Sequence, residues 1–298
     1  MSYHILHIND YGCRLTKERG LLVCEKDGRQ MGKIAFEDLR AVVLLNEAQS
    51  ISGAVMSAIT ANDAIIIHCK NFKPVGITIP NNRTYDAKVV LNQARGNKNL
   101  NSAIWRKLLG AKIENSASCL ELIGVKCANI PQISLNGQKN LNEARYAREY
   151  WKRYFPMLGE YGMRRNPEDK TSPANIFLNY GYGIMGGLIQ RSVIVSGLNY
   201  LLGVNHKTYY KNIPLVYDII EPFRSFVDYA LYKYNLSDNT PNIRSWAVYL
   251  GKFLSNTRVR KGSRTIKLMD ATDALCESLA NACREKKADN LWVPKFHK

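Results

Sequence analysis

The run Val75-Gly76-Ile77-Thr78-Ile79-Pro80-Asn81-Asn82 is where the chain changes character. Before it, short apolar runs alternate with turn residues. Tyr3–Ile8 gives way to Asn9-Asp10-Tyr11-Gly12, and Leu21–Cys24 to Lys26-Asp27-Gly28; Val42–Leu45 and Ala64–His68 follow. Such spacing predicts strands joined by tight turns. Ser50–Thr60, rich in Ala, Met and Ser, interrupts them as one short helix. From Leu91 onward the apolar residues recur at three and four, the helical period. Trp105, Leu108, Leu109, Ile113 and Leu120 mark one helix, and others are expected at about 140–155, 174–202, 214–233, 240–255 and 269–286. The fold class expected is therefore α+β. An N-terminal β-sandwich-like domain over 1–85 precedes a larger all-α domain over 86–298, with the boundary near residues 80–95.

Size and charge bound the rest. A chain of 298 residues with 46% apolar composition is long enough to bury a core without disulfides or a structural metal. The seven cysteines form no C-x-x-C pair. With a polar N-terminus and no secretory signal, they read as reduced thiols of a cytoplasmic protein. Ile184–Val204 is the longest apolar stretch, but Gln190, Arg191 and Asn199 interrupt it, so a buried core helix is expected and not a membrane span. The formal charge of +17 favours a polyanionic partner. Residues 1–90 hold 11 basic and 9 acidic groups, whereas 91–298 hold 31 and 16, so the polyanion site belongs to the helical part. Arg258, Arg260, Lys261, Arg264 and Lys267 crowd around Gly262-Ser263 and read as a basic loop suited to phosphate oxygens, or as a plain solvated loop.

Chemistry is confined to few residues. Of the five histidines, His4, His7, His68 and His297 have ordinary structural settings. His206 follows the end of the long apolar helix, and Asp218 and Glu221 come twelve and fifteen residues later. Pro214 suits the first turn of a helix, on which Asp218 and Glu221 would share a face beside Leu215, Val216, Ile219 and Ile220. Two such carboxylates repel and raise one pKa unless Arg224 or a divalent cation neutralises them. Glu143 stands on the inward face of its helix with Ala147 and Tyr150, while Glu149 lies between Arg145 and Arg153 as a surface partner. One imidazole and two or three carboxylates suit Mg²⁺ or Mn²⁺. Ordinary buried ion pairs and a capping histidine would have the same residue types.

The run Glu143-Ala144-Arg145-Tyr146-Ala147-Arg148-Glu149-Tyr150-Trp151 resembles a motif of the CRISPR-associated integrases of spacer acquisition, the first-numbered Cas family. Asn175–Tyr182 looks like the family's Asn-x-x-Leu-Asn-Tyr-x-Tyr helix start, and His206, Pro214-Leu215, Asp218, Glu221, Phe223 and Arg224 follow in the family's order. Ala144 stands where glycine is frequent and Glu221 where aspartate is. Chain length and the Trp105–Leu122 helix look most like type II systems. The resemblance implies that Glu143, His206 and Glu221 bind Mg²⁺ or Mn²⁺, with Asp218 as a supporting acid. It implies attack of a spacer DNA 3′-hydroxyl on a phosphodiester at the repeat border, and nuclease activity on branched DNA. The implied partners are double-stranded and branched DNA, a second copy bound through residues 1–85, and the small second adaptation Cas protein. Tyr209 and Tyr210 are candidates for stacking on splayed bases, beside Arg258, Arg260, Lys261 and Arg264 for phosphate contact. The rival expectations are a non-catalytic basic DNA-binding architectural protein and a purely hydrolytic metal-dependent nuclease. No G-x-x-x-x-G-K-[ST] loop is present, and transesterification requires no nucleotide cofactor.

Overall fold

The computed structural model describes residues 4–81, 86–125, 139–207, 212–237 and 242–296. Its N-terminal part is built from β1 (His4–Ile8), β2 (Arg14–Glu18), β3 (Leu21–Lys26), β4 (Arg29–Ala35), β5 (Leu39–Leu44), β6 (Ser50–Ile51), α1 (Gly53–Ala61), β7 (Ile65–Lys70) and β8 (Lys73–Thr78). The strands form two four-stranded sheets, in the orders β1-β5-β7-β8 and β4-β3-β2-β6. The β1-β5-β7 pairs are parallel and β7-β8 is antiparallel. Parallel β5 and β7 need a crossover, and the helix expected over Ser50–Thr60 supplies it as α1.

Alternation explains how the first sheet joins the two halves of the molecule. On β5 and β7, Val42, Leu44 and Ile66 face the second sheet and α1, where they pack with Leu15, Leu22, Val55 and Ile59. Ala41, Val43, Ile65 and Ile67 face the helices and belong to the large core of the helical part. Both faces are covered, which is why these strands read as nearly unbroken apolar runs.

The helical part comprises α2 (Ala87–Arg95), α3 (Lys98–Leu122), α4 (Lys139–Tyr154), α5 (Pro173–Val195), α6 (Pro214–Ile219), α7 (Arg224–Ser237), α8 (Ile243–Asn256), the hairpin β9 (Arg258–Lys261) and β10 (Arg264–Lys267), and α9 (Leu268–Glu285). The long α5 is the core helix expected: it is buried along most of its length and lies against β7, β8, α7, α8 and α9. Gly183 and Gly187 make that approach possible. A Cβ at Gly187 would lie 2.8 Å from Ile67, and one at Gly183 2.9 Å from Pro74. Among the described residues no helix is long and apolar enough to cross a membrane. The described cysteines, Cys13, Cys24, Cys69, Cys119, Cys276 and Cys283, are all free thiols; Cys127 lies outside the described residues.

Three local features depart from the sequence expectation. The basic run is not a loop but a two-stranded hairpin, so the C-terminal part is not wholly helical. Val259, fully buried, pairs with Ile266, and Lys261 pairs with Arg264 across a two-residue Gly262-Ser263 turn. Gly262 has φ +61°, a conformation that glycine adopts without strain. The helix expected over 174–202 stops at Val195, and Gly197 (φ +73°) turns the chain out of it. The helix expected over 214–233 breaks after Ile219 into a 3₁₀ turn at Glu221–Phe223 before α7. Pro222 has no N–H to continue the helical ladder, so the break falls between Asp218 and Glu221.

Candidate active site

That break separates the two acids. They do not share a face; each turns to a different partner. Asp218, wholly buried, faces the loop after α5. Its Oδ2 accepts from the backbone N–H of Val204 (2.7 Å) and Asn205 (3.1 Å), and its Oδ1 from that of His206 (3.1 Å). The His206 imidazole completes the set, with Nδ1 2.8 Å from Asp218 Oδ1. Gly203 is required there, because a Cβ would come within 2.9 Å of Asp218 Oδ2 and 2.5 Å of the His206 carbonyl. Asp218 thereby folds the loop and fixes the ring. With Nδ1 turned to that carboxylate, Nε2 is the ring nitrogen left for another partner. The ring stands edge-on to Trp105 of α3 (centroids 6.0 Å) and tilted against Tyr217 (6.1 Å).

Glu221 turns to α3 and α4. The helix α3 fastens the 3₁₀ turn from below: Asn115 Nδ2 donates to the Pro222 carbonyl at 2.8 Å, and Ser116 Oγ meets Ser225 Oγ at 3.0 Å. One turn earlier, Lys112 sends its ammonium between two carboxylates. Nζ lies 2.7 Å from Glu143 Oε1 and 2.7 Å from Glu221 Oε2. Arg224, one of the two candidates for neutralising the acids, donates from Nε to Glu221 Oε1 at 2.9 Å. Burial alone would push the Glu221 carboxyl up, but Arg224 and Lys112 outweigh it and hold it at about 2. Burial likewise opposes the charge on Lys112, yet Glu221 and Glu143 leave its pKa raised.

A third buried acid lies seven residues beyond Glu221. Asp228 accepts from the hydroxyls of Tyr182 (Oδ1, 2.5 Å) and Tyr150 (Oδ2, 2.7 Å), and its backbone carbonyl accepts from Tyr154 (2.7 Å). Burial raises its carboxyl to about 6, and the two phenol donors and distant arginines do not fully offset that. Lys112, Glu221, Arg224, Asp228, Tyr150 and Tyr182 line one cavity of about 260 Å³. An adjoining cavity of about 510 Å³ is walled by His206, Tyr217, Gln190, Ile220 and the glycine face of α5. Arg165, Pro167, Tyr182 and Arg224 belong to both walls.

The residues read from sequence therefore fall into two neighbouring groups. Glu143 and Glu221 meet on one positive charge, and His206 sits with Asp218. The two are spaced along α3, where Trp105 and Lys112 are seven residues, or roughly 10 Å of rise, apart. Among the described residues no three His, Cys, Asp or Glu side chains cluster closely enough to hold a metal ion. Arg258, Arg260, Lys261 and Arg264 stand on the β9-β10 hairpin, where Lys261 Nζ lies 5.5 Å from the Trp292 ring centroid. Tyr209 and Tyr210 lie outside the described residues. Glu149 pairs with Arg153 at 2.6 Å, as its surface position suggested.

Sequence reading passed over Lys112, Asp228 and Arg165. Lys112 offered one signal, a single cation inside the apolar period Leu108, Leu109, Ala111, Ile113. Asp228 offered another, an acid between Val227 and Ala230. Neither names a partner.

Comparison with known proteins bears on the whole chain. The family model described as "CRISPR associated protein Cas1" matches residues 6–241. A CRISPR-associated endonuclease Cas1 of Saccharolobus solfataricus is 28% identical over 249 residues, covering 78% of this chain and 70% of the relative. Among solved structures, a casposase bound to integration product superposes with a TM-score of 0.81 at 16% identity, covering 97% of this chain and 94% of that one. A Cas6-RT-Cas1–Cas2 complex superposes with a TM-score of 0.75 at 16% identity over all of this chain and 36% of that one.

Proposed function

The chain belongs to the CRISPR-associated Cas1 family, and from that premise we propose that it is a divalent-metal-dependent endonuclease and integrase that joins spacer DNA 3′ ends into a CRISPR array. The observation that carries the reading is the convergence of the Glu143 and Glu221 carboxylates on one cation, beside a histidine whose Nδ1 is fixed by Asp218. Two carboxylates already sharing a positive charge suit a hard divalent ion. Glu143 and Glu221 would hold Mg²⁺ or Mn²⁺ in place of the Lys112 ammonium, and His206 Nε2 would serve as the nitrogen donor once the two groups, separate in this structure, draw together. Bound there, the ion supplies Lewis-acid polarisation of the scissile phosphodiester.

The chain's own groups do the rest. Lys112 and Arg224 keep Glu221 ionised, so the acid is ready for a cation at any physiological pH. Asp218 orients the imidazole. Arg224 and Arg165 place two guanidinia on the cavity walls, where strand phosphates would lie. The hairpin with Arg258, Arg260, Lys261 and Arg264 adds sequence-independent attraction for DNA. Tyr209 and Tyr210 remain our candidates for base stacking. The casposase neighbour, bound to an integration product, supports the DNA-joining chemistry, and the complex containing Cas2 supports a small Cas2-type partner. The near-neutral residues 1–85 leave a β-rich surface on which a second copy would dock.

The test joins a labelled DNA 3′-hydroxyl end to supercoiled target with Mg²⁺ or Mn²⁺ and the Cas2-type partner. Joined product with the metal and none in EDTA is expected. Equal joining in EDTA would overturn the metal centre. Hydrolysis without joined product would favour the hydrolytic nuclease, and DNA binding without chemistry the architectural protein.

A further inference from the structure

Among the described residues Arg165 makes no ion-pair contact, and Asp228 attracts it only from beyond that distance. Five other arginines are held by a carboxylate: Arg224 has Glu221, Arg191 and Arg40 have Asp273, Arg153 has Glu149 and Arg284 has Asp86. Two neutral amides aim Arg165: Nη1 donates to Asn175 Oδ1 at 2.9 Å and Nη2 to Asn179 Oδ1 at 2.5 Å.

Those amides cannot turn away. Asn175 is fully buried; its Nδ2 donates to the Arg164 carbonyl and to Asp169 Oδ2, both at 3.2 Å, and its Oδ1 also accepts from the Asn166 N–H. Asn179 Nδ2 donates to the Pro167 carbonyl at 2.8 Å. The guanidinium carbon of Arg165 lies 5.5 Å from the Tyr182 ring centroid, and that of Arg224 lies 4.7 Å from the same ring. The Tyr182 hydroxyl is anchored in turn on Asp228. Neutral acceptors orient a cation without cancelling its charge, and a half-buried cation without an ion-pair contact costs stability that an anionic ligand would return. Burial pulls the Arg165 pKa down, and the attraction of Tyr182 and of the more distant Asp228 does not fully offset it.

We propose that Arg165, held by Asn175 and Asn179, is the seat of one backbone phosphate of the bound DNA strand, in the wall between the carboxylate cavity and the histidine cavity. The seat rests on the DNA-joining reading of the site. It grips the strand at the phosphate next to the reacting one and tolerates any base, because its contacts reach only phosphate oxygens. Asn175 and Asn179 are positioning residues.

The test measures affinity for a short duplex with a 3′ single-stranded end over a range of salt, in EDTA so that no chemistry intervenes. It compares the wild type with Arg165→Gln, Arg165→Lys and Asn179→Ala. Arg165→Gln should weaken binding by about tenfold at low salt, equally for unrelated sequences, and lower the slope of log affinity against log salt by about one phosphate's worth. Arg165→Lys should restore the slope but only part of the affinity, because a point charge lacks the fork. Asn179→Ala should keep the slope and lose affinity. An unchanged slope and affinity in Arg165→Gln, with wild-type thermal melting, would overturn the seat. If the wild type binds DNA and never joins it, the functional reading fails while the slope still reports on Arg165. If joining is intact and the slope does not move, the seat alone fails.

Discussion

The molecule holds two clusters of nearly the same makeup. In one, Lys112 and Arg224 meet Glu143 and Glu221. In the other, Arg40 and Arg191 meet Asp270 and Asp273 where β5, α5 and α9 come together. Each sets two cations against two carboxylates. The second is a fastening: Arg191, 4% exposed, donates to Asp273 Oδ1 and to the Asp63 carbonyl, both at 2.5 Å, and Ser192 Oγ donates to the same Asp273 oxygen at 2.6 Å. It ties the first sheet to the helical core. Lys112, Glu221 and Arg224 of the first cluster line a cavity, and one ammonium is shared by two acids drawn from α4 and from a proline-broken turn. An ion pair sealed by further hydrogen bonds serves the fold. One that faces a cavity would be placed, on our proposal, to exchange its cation for another.

The largest effect expected from this contrast is catalytic. His206→Ala should lower DNA joining at least about a hundredfold, the scale on which loss of even an outer metal-site partner acts. DNA affinity measured in EDTA should stay near the wild type, since phosphate contacts dominate it. Wild-type joining in that variant would remove His206 from the site. The sealed cluster should answer in the opposite currency. Arg191→Met leaves the half-buried Asp273 carboxylate with only Arg40 and Ser192, and should cost roughly 3 kcal/mol of unfolding free energy in urea, with DNA affinity unchanged. Reduced joining at wild-type stability would dissolve the distinction between the clusters.

The smallest effect sharpens the contrast within the cavity itself. Glu221, held at about 2 against an ordinary 4.5, contributes stability above pH 4.5 that is lost as the pH falls towards 2. Asp228, raised from 3.8 to about 6, does the reverse: its contribution is complete below pH 4 and is lost as the pH rises through 6. The stability difference between wild type and Asp228→Asn should therefore shift by about 2–3 kcal/mol between pH 4 and pH 7, in favour of the variant at the higher pH. A constant difference across that range would show that Asp228 titrates as an ordinary carboxylate.

Much of this was legible in residue order, because periodicity is local. The change from period two to period three-and-four placed the helices that became α3, α4, α5, α8 and α9, and composition placed α1. Glu149 with Arg153 and Glu221 with Arg224 are four and three residues apart, within reach of local reasoning. Lys112 was not, since its partners lie 31 and 109 residues away and only the fold brings them together. Pro222 was visible, but the apolar neighbours of Asp218 and Glu221 suggested one continuous face across it. The alternation of Val259 and Ile266 around Gly262-Ser263 carried a hairpin signal that the density of charge obscured. Arg165 drew no reading at all, because nothing local shows that Asn175 and Asn179 turn towards it.

The most direct test of the shared-cation claim is a crystal soaked in Mn²⁺ and measured at the manganese edge. The account predicts one anomalous peak in contact with both Glu143 and Glu221, with His206 Nε2 as the nitrogen donor and Lys112 turned aside. Lys112 still bridging the two carboxylates at saturating Mn²⁺, with the ion bound elsewhere, would contradict it.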